Sequence, residues 1–300
     1  MMSDFNIKDS LLGKEALIPE KYDASLLFRI PRAENRVHYG LDDAQLPFVG
    51  FDVWNCYEVS FLTDNGLPVS RLLKLIYSCD SQYLVESKSL KLYLNAFNMD
   101  RFGKTIAKAE SCVLEMIRTD LSNLLETDVQ VILFDAESDV KQAFPELKKV
   151  NLNCLVSIEE QESIEFSRFV ESPELLHGTV TDAMHEYAFH SDLLRSNCRV
   201  TNQPDWGDLF VKMTTKYEVD LSSIMEYLVS FRKENHFHEE VVEMIYKRFF
   251  DRFEPTTLMV AAMYTRRGGI DINPIRASHA GLIDEALVSS RFRVEKTMRQ

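Results

Sequence analysis

The sequence predicts an α+β protein of two similar units, each an antiparallel sheet backed by helices. Three observations carry that reading. A β-branched and aromatic run at residues 53–63 is followed by Asp64-Asn65-Gly66 and the apolar run 72–77; Asn-Gly between two such runs marks a hairpin. The apolar spacing then becomes helical, because Val113, Ile117, Leu121 and Leu124 fall on one helix face. The same order of elements recurs in the second half, as a duplication would give.

After Glu86 the chain opens a helix, with Ser87 as the expected N-cap. Residues 129–134 read as the next strand. In the second half, residues 187–194 and 209–215 read as strands and 224–232 as a helix. Val241, Ile245, Phe249 and Phe253 stripe a further helix, and 258–265 returns as a strand. A local likeness supports the duplication: residues 89–97 and 223–231 share Ser, Tyr, Leu and Phe at an offset of 134. Between the halves lies a polar stretch, residues 157–174, with six glutamates and no clear hydrophobic period. It reads as a solvated connector, so the expected units are residues 1–156 and 157–300.

Composition narrows the class. With 34 Lys plus Arg against 47 Asp plus Glu, the net charge is −13 and the pI about 5.1. Such a chain repels phosphate backbones, so nucleic acid is not an expected partner. Hydrophobic residues at 45% and charged residues at 27% exclude disorder. The longest apolar run, 258–264, is far short of the ~20 residues of a membrane span. Residues 1–20 carry no signal-peptide core. Five cysteines without ladder spacing argue against a disulfide framework, and the expected compartment is reducing cytoplasm.

No G-x-G-x-x-G, Walker loop or G-x-S-x-G occurs. Four clusters remain. The first is the polar segment 196–207, read as a loop, with Cys198 at one end and Asp205 seven positions later. An ordinary thiol, pKa about 8.5, is mostly protonated at neutral pH and needs proton transfer to attack. Asp205 could supply that transfer, and Arg199 or a histidine could stabilise a thiolate; a plain buried cysteine is the competing reading. The second is Asn235-His236-Phe237-His238-Glu239-Glu240, able to bind metal or move protons, or simply to start a helix whose dipole favours acids. On regular helix the two histidines point about 200° apart, so both cannot face one ion. The third is 86–93, where Glu86 could accept from a ring's N–H edge and Lys88 could pair with phosphate; a capped helix start is the alternative. The fourth, Arg266-Arg267-Gly268-Gly269, suits a phosphate or forms an ordinary turn.

Taken together and in this order, the clusters resemble the long, two-unit form of the QueF family. Glu86-Ser87-Lys88-Ser89-Leu90-Lys91-Leu92-Tyr93 reproduces a motif of that family at every position. Ser196-Asn197-Cys198 and Gln203-Pro204-Asp205-Trp206-Gly207 match its nucleophile loop, and Phe237-His238-Glu239 and residues 266–274 match two later segments. Residues 22–27 resemble its N-terminal region. The resemblance implies the tunnelling fold (T-fold) of tandem ββααββ units, and a homodimer formed through the sheets. It also implies NADPH-dependent reduction of 7-cyano-7-deazaguanine in queuosine biosynthesis, two NADPH being used per turnover.

Roles follow residue by residue from the same resemblance. Cys198 would add to the nitrile carbon to give a covalent thioimide, and Asp205 would protonate the nitrile nitrogen. Glu86 and Glu239 would hold the deazaguanine N–H edge, with Val85, Ser87 and His238 lining the pocket and Phe237 covering the ring. Ser87, Lys88, Arg267 and Gly268 would contact NADPH; no metal is implied. Two departures stand out. Arg199 follows the nucleophile where the family has a less polar residue, and residues 98–102 lack a Phe-His-Glu, so one site per pair of units is expected. The competing readings are a zinc-dependent T-fold enzyme acting on a pterin or purine, using His236, His238 and Cys198, and a pteridine-binding module without activity.

Overall fold

A tight reversal at Asp64-Asn65-Gly66 starts the main sheet. Gly66 has φ +88°, a conformation side chains resist, and its N–H donates to the Thr63 carbonyl at 2.8 Å. The computed structural model describes residues 21–300, so the reading of residues 1–20 lies outside the described residues. Strand β1 (Arg29–Pro31) and helix α1 (Ala33–His38) precede the hairpin strands β2 (Val49–Leu62) and β3 (Pro68–Ser78). Next come β4 (Tyr83–Val85), α2 (Ser87–Asn95), α3 (Ile106–Leu125) and β5 (Val129–Phe134). The short β6 (Val140–Lys141), α4 (Leu152–Leu155) and α5 (Ile158–Ser163) lead into the second half. There, β7 (Gly178–Ser191), β8 (Arg195–Cys198), β9 (Pro204–Val219) and α6 (Leu221–Ser230) are followed by β10 (Asn235–His236) and α7 (His238–Phe253). The chain closes with β11 (Thr257–Tyr264), β12 (Ile270–Ala277), α8 (Glu285–Val288) and β13 (Arg293–Val294).

Among the described residues one nine-stranded sheet dominates, ordered β10-β8-β9-β11-β12-β2-β3-β5, with β7 also on β9. Its pairs are antiparallel except β10 with β8. The join between the halves is β12 on β2, from Ile270 opposite Cys56 to Ala277 opposite Val49. Side chains alternate across the sheet. One face packs Trp54, Leu73 and Leu75 with the buried stripe of α3, and Val211, Met213 and Val260 with that of α7. The other face carries Val53, Ile76, Met259 and Ile275 beneath Leu287 and Val294 of the C-terminal segment.

The like segments 89–97 and 223–231 occupy like settings. Ser89 Oγ donates to the Glu86 carbonyl at 2.8 Å, and Ser223 Oγ to that of Asp220 at 2.6 Å. Tyr93 meets Phe97 edge-on at 5.3 Å, as Tyr227 meets Phe231 at 5.4 Å. The shared residues are therefore the packing and capping residues of α2 and α6.

Several expectations change. The N-cap of α2 is Glu86, not Ser87: its carboxylate accepts from the N–H groups of Lys88 and Ser89. The buried stripe of α3 is Ala109, Val113, Ile117, Leu121 and Leu125, with Leu124 partly buried against the same core. Segment 196–207 is largely strand, since β8 pairs with the start of β9 and leaves only 199–203 outside. β12, read only as sequence beyond a glycine turn, is a fully buried strand. Within the connector, α5 forms because Ser157 caps it, accepting from the Glu160 N–H at 3.1 Å.

Candidate functional site

A cavity of about 330 Å³ opens where both halves meet. The first half contributes Val85, Ser87 and Lys88; the second contributes Cys198, Asp205, Phe237, His238, Glu239, Arg267 and Gly268. Trp54, Ile270 and Ile272 supply apolar wall. Helices α2 and α7 both begin at this cavity, at Ser87 and His238, so two positive dipole ends favour electron-rich groups there. Glu86, also expected here, is buried between Val85 and Ser87 but does not line the cavity, because its carboxylate is turned to the α2 cap.

Cys198 ends β8. Its N–H donates to the Gln203 carbonyl at 2.8 Å and its carbonyl accepts from the Asn202 N–H at 3.0 Å. Asn202 takes φ +55°, one of the few side-chain types that tolerate it. This closed turn holds the half-buried thiol against the cavity. Across the β8–β9 ladder Asp205 opposes Ser196 and is 3% exposed. One carboxylate oxygen pairs with the Arg267 guanidinium, which also donates to Gln203. The other lies 3.4 Å from His238 Nε2, within ion-pair reach but off the line of a hydrogen bond. Burial alone would raise the Asp205 pKa; His238 and Arg267 outweigh it and hold the carboxyl below its ordinary range.

Arg199, weighed as a thiolate stabiliser, is committed elsewhere. It donates to both oxygens of buried Glu240, at 3.0 and 3.2 Å, and lies 5.9 Å from the Phe237 ring centre. His236 sits between Glu234 at 2.7 Å and Glu240 at 3.4 Å. Burial disfavours its charged form, yet the two carboxylates raise its pKa to about 9. His236 and His238 thus serve different partners, and among the described residues no three His, Cys, Asp or Glu side chains converge as metal ligands.

Glu239 is 3% exposed, and its Oε1 has no hydrogen-bond partner among the described residues. Burial, with neighbouring Asp52 adding to it, pushes its pKa up to about 7. Beneath it lies a buried ion cluster. Arg32 donates to Asp52 at 2.5 Å, while Arg36 and Arg276 donate to Glu243 at 2.6 and 2.9 Å. Sequence reasoning missed Trp54, Thr201, Ile270 and Ile272 on the cavity wall. Trp54 carried a signal only as a member of the β-branched and aromatic run 53–63, and nothing local tied it to the site.

The chain matches the family model described as nitrile reductase, 7-cyano-7-deazaguanine-reductase N-term, over residues 18–133. It also matches the model described as QueF-like protein over residues 204–281. It is 39% identical over 276 residues to the NADPH-dependent 7-cyano-7-deazaguanine reductase of Acidovorax ebreus, covering 90% of this chain and 93% of that protein. The enzyme of the same name from Delftia acidovorans is 37% identical over 290 residues, covering 95% and 98%. A crystal structure of the archaeosine synthase QueF-Like in the apo form aligns over 32% of this chain and 94% of its own, at 13% identity and a TM-score of 0.28, too slight a likeness to bear on the fold. With both family models matched and relatives aligned along nearly its whole length, the chain belongs to the QueF nitrile reductase family.

Proposed function

We propose that the chain reduces the nitrile of 7-cyano-7-deazaguanine to the aminomethyl group with NADPH, in queuosine biosynthesis, with Cys198 as nucleophile and Asp205 as proton carrier. The observation that supports it most is a thiol and a buried carboxylate on one cavity whose wall also offers Glu239, a carboxylate with one oxygen unpartnered among the described residues. A nitrile resists direct hydride addition, so covalent capture splits the reduction into easier steps. Cys198 Sγ bonds to the nitrile carbon and one C–N π bond opens. Asp205, ionised at rest, accepts the thiol proton and delivers it to the nitrogen, which balances the addition. Glu239 and Glu86 accept from the ring's N–H edge; for Glu86 this requires that it share its capping oxygens. His238, stacked on Tyr264 at 4.0 Å, presents its edge to the same space, and Phe237 covers the ring and excludes water.

The donors at the cavity rim fit a phosphorylated dinucleotide: Ser87 and Lys88 at the α2 N-terminus, Arg267, and the turn at Gly268, φ +57°, beside Lys91. NADPH, when bound, supplies the hydrides that take the carbon to the amine level. We further propose T-fold-like units at residues 1–156 and 157–300, a homodimer, and a cytoplasmic location without direct nucleic-acid binding. The matched settings of α2 and α6 support the two units. Among the described residues no helix is long and apolar enough to cross a membrane.

The test is intact-protein mass after mixing with 7-cyano-7-deazaguanine and no NADPH. One substrate mass should add to the natural protein and none to Cys198→Ala, and NADPH should discharge the adduct. No adduct on the natural protein rejects the covalent mechanism.

A further inference from the structure

Trp54 is 1% exposed and lies on the cavity wall, and its indole N–H has no acceptor among the described residues. In the sheet it stands opposite Leu75 of β3 and Ile272 of β12. Phenylalanine would fill much of that apolar slot without burying an unpaired donor, which is costly. Trp54 and Glu239 both line this cavity.

We infer that Trp54 is a substrate-binding residue whose indole N–H donates to a hydrogen-bond acceptor on the bound ring, a carbonyl oxygen or ring nitrogen, opposite the N–H edge taken by Glu239. The inference rests on the proposed substrate class, a fused pyrimidinone. The carboxylates assigned to the site read donors only, so they would accept a ring whose acceptor had been replaced by hydrogen. A buried donor adds the missing half of the reading, because an analogue without the acceptor leaves that N–H unpaired in the complex.

The experiment uses the full chain with Cys198→Ala, which keeps binding reversible. The protein has two tryptophans, Trp54 and Trp206, so 15N-indole labelling gives two resonances, and Trp206→Phe assigns them. Saturation with 7-cyano-7-deazaguanine should move the Trp54 indole proton downfield and slow its exchange. Of two analogues, one without the ring carbonyl and one without the pyrimidine-ring nitrogen acceptor, one should bind about tenfold more weakly and leave that resonance in place. Adding Trp54→Phe should weaken the parent ligand by a similar factor and abolish discrimination against that analogue. The resonance test needs no change at Trp54, so it stands even where that variant folds poorly. Tight binding of the parent ligand with an unmoved Trp54 indole proton overturns the inference and leaves the functional reading intact. No binding of the parent ligand at all, by calorimetry, overturns both.

Discussion

The imidazole of His238 lies on the ring of Tyr264, centroids 4.0 Å apart and planes 30° from parallel. Tyr264 is buried, with its hydroxyl unpartnered among the described residues. Room for the ring comes from Gly207, its partner in the β9–β11 ladder. A Cβ there would lie 3.0 Å from Tyr264 Cε1, so the ring would have to shift by a few tenths of an ångström. A residue of β9 thus helps decide where a residue at the start of α7 stands in the cavity.

Gly207→Ala should therefore displace Tyr264 and, through the stack, His238. Overpacking of this kind costs about 1–3 kcal/mol, read as a lower Tm, and substrate should bind about tenfold more weakly. Thermal unfolding and calorimetry on the Cys198→Ala form measure both. A lowered Tm with unchanged affinity would mean that the stack does not position His238 for binding.

Glu239 leads to a pH prediction. Burial, then Asp52, raises its pKa from 4.5 to about 7. A raised carboxyl contributes fully below its unfolded pKa, and that contribution is lost as pH rises through the folded one. Glu239→Gln escapes the loss, so between pH 4.5 and 7 it should gain on the natural protein, by on the order of 3 kcal/mol at the upper end. Urea unfolding across that range checks the sign. Catalysis should move the opposite way, because the ionised acceptor for the ring N–H edge is gone.

Much of the fold was legible because its signals are local. Asn65-Gly66 sits at a real hairpin, and Val241, Ile245, Phe249 and Phe253 are all fully buried along α7. Cys198, Asp205, His238 and Glu239 were legible as a family motif, and each lines or borders one cavity. What the sequence hid is long-range. Trp54 reaches the site only because β2 pairs with β12, more than 200 positions away, and no local pattern records a strand pairing at that distance. Glu86 and Ser87 show the opposite problem. Either is a plausible cap, and the backbone's choice of Glu86 depends on where β4 delivers the chain.

Glu243, one turn after Glu239, should behave in the opposite sense. Burial would raise its pKa, but Arg276 and Arg36 overcome that and hold it at about 2. A depressed carboxyl contributes above its unfolded pKa of about 4.5 and loses that contribution as pH falls toward 2. Glu243→Gln removes the partner of buried guanidinium groups and should cost about 3–5 kcal/mol at neutral pH. The gap from the natural protein should narrow steadily on acidification. A gap that holds constant with pH would assign the effect to packing instead.

Arg267 carries two assignments that one variant can separate. It pairs with Asp205 in the structure and is proposed to meet the cofactor's phosphate. Burial raises the Asp205 pKa, and His238 and Arg267 together reverse that. Arg267→Ala deletes one of the two groups that lower it, so the Asp205 pKa should rise. Since the ionised carboxylate receives the thiol proton, the acid limb of adduct formation should then shift to higher pH. That rate is measured without NADPH, by mixing substrate and protein across a pH series, so cofactor binding cannot enter it. The same variant should raise KM for NADPH by about tenfold or more, as loss of a charge-assisted phosphate contact does. A raised KM with an unmoved acid limb would leave Arg267 as a cofactor contact alone, and the tuning of Asp205 would then fall to His238.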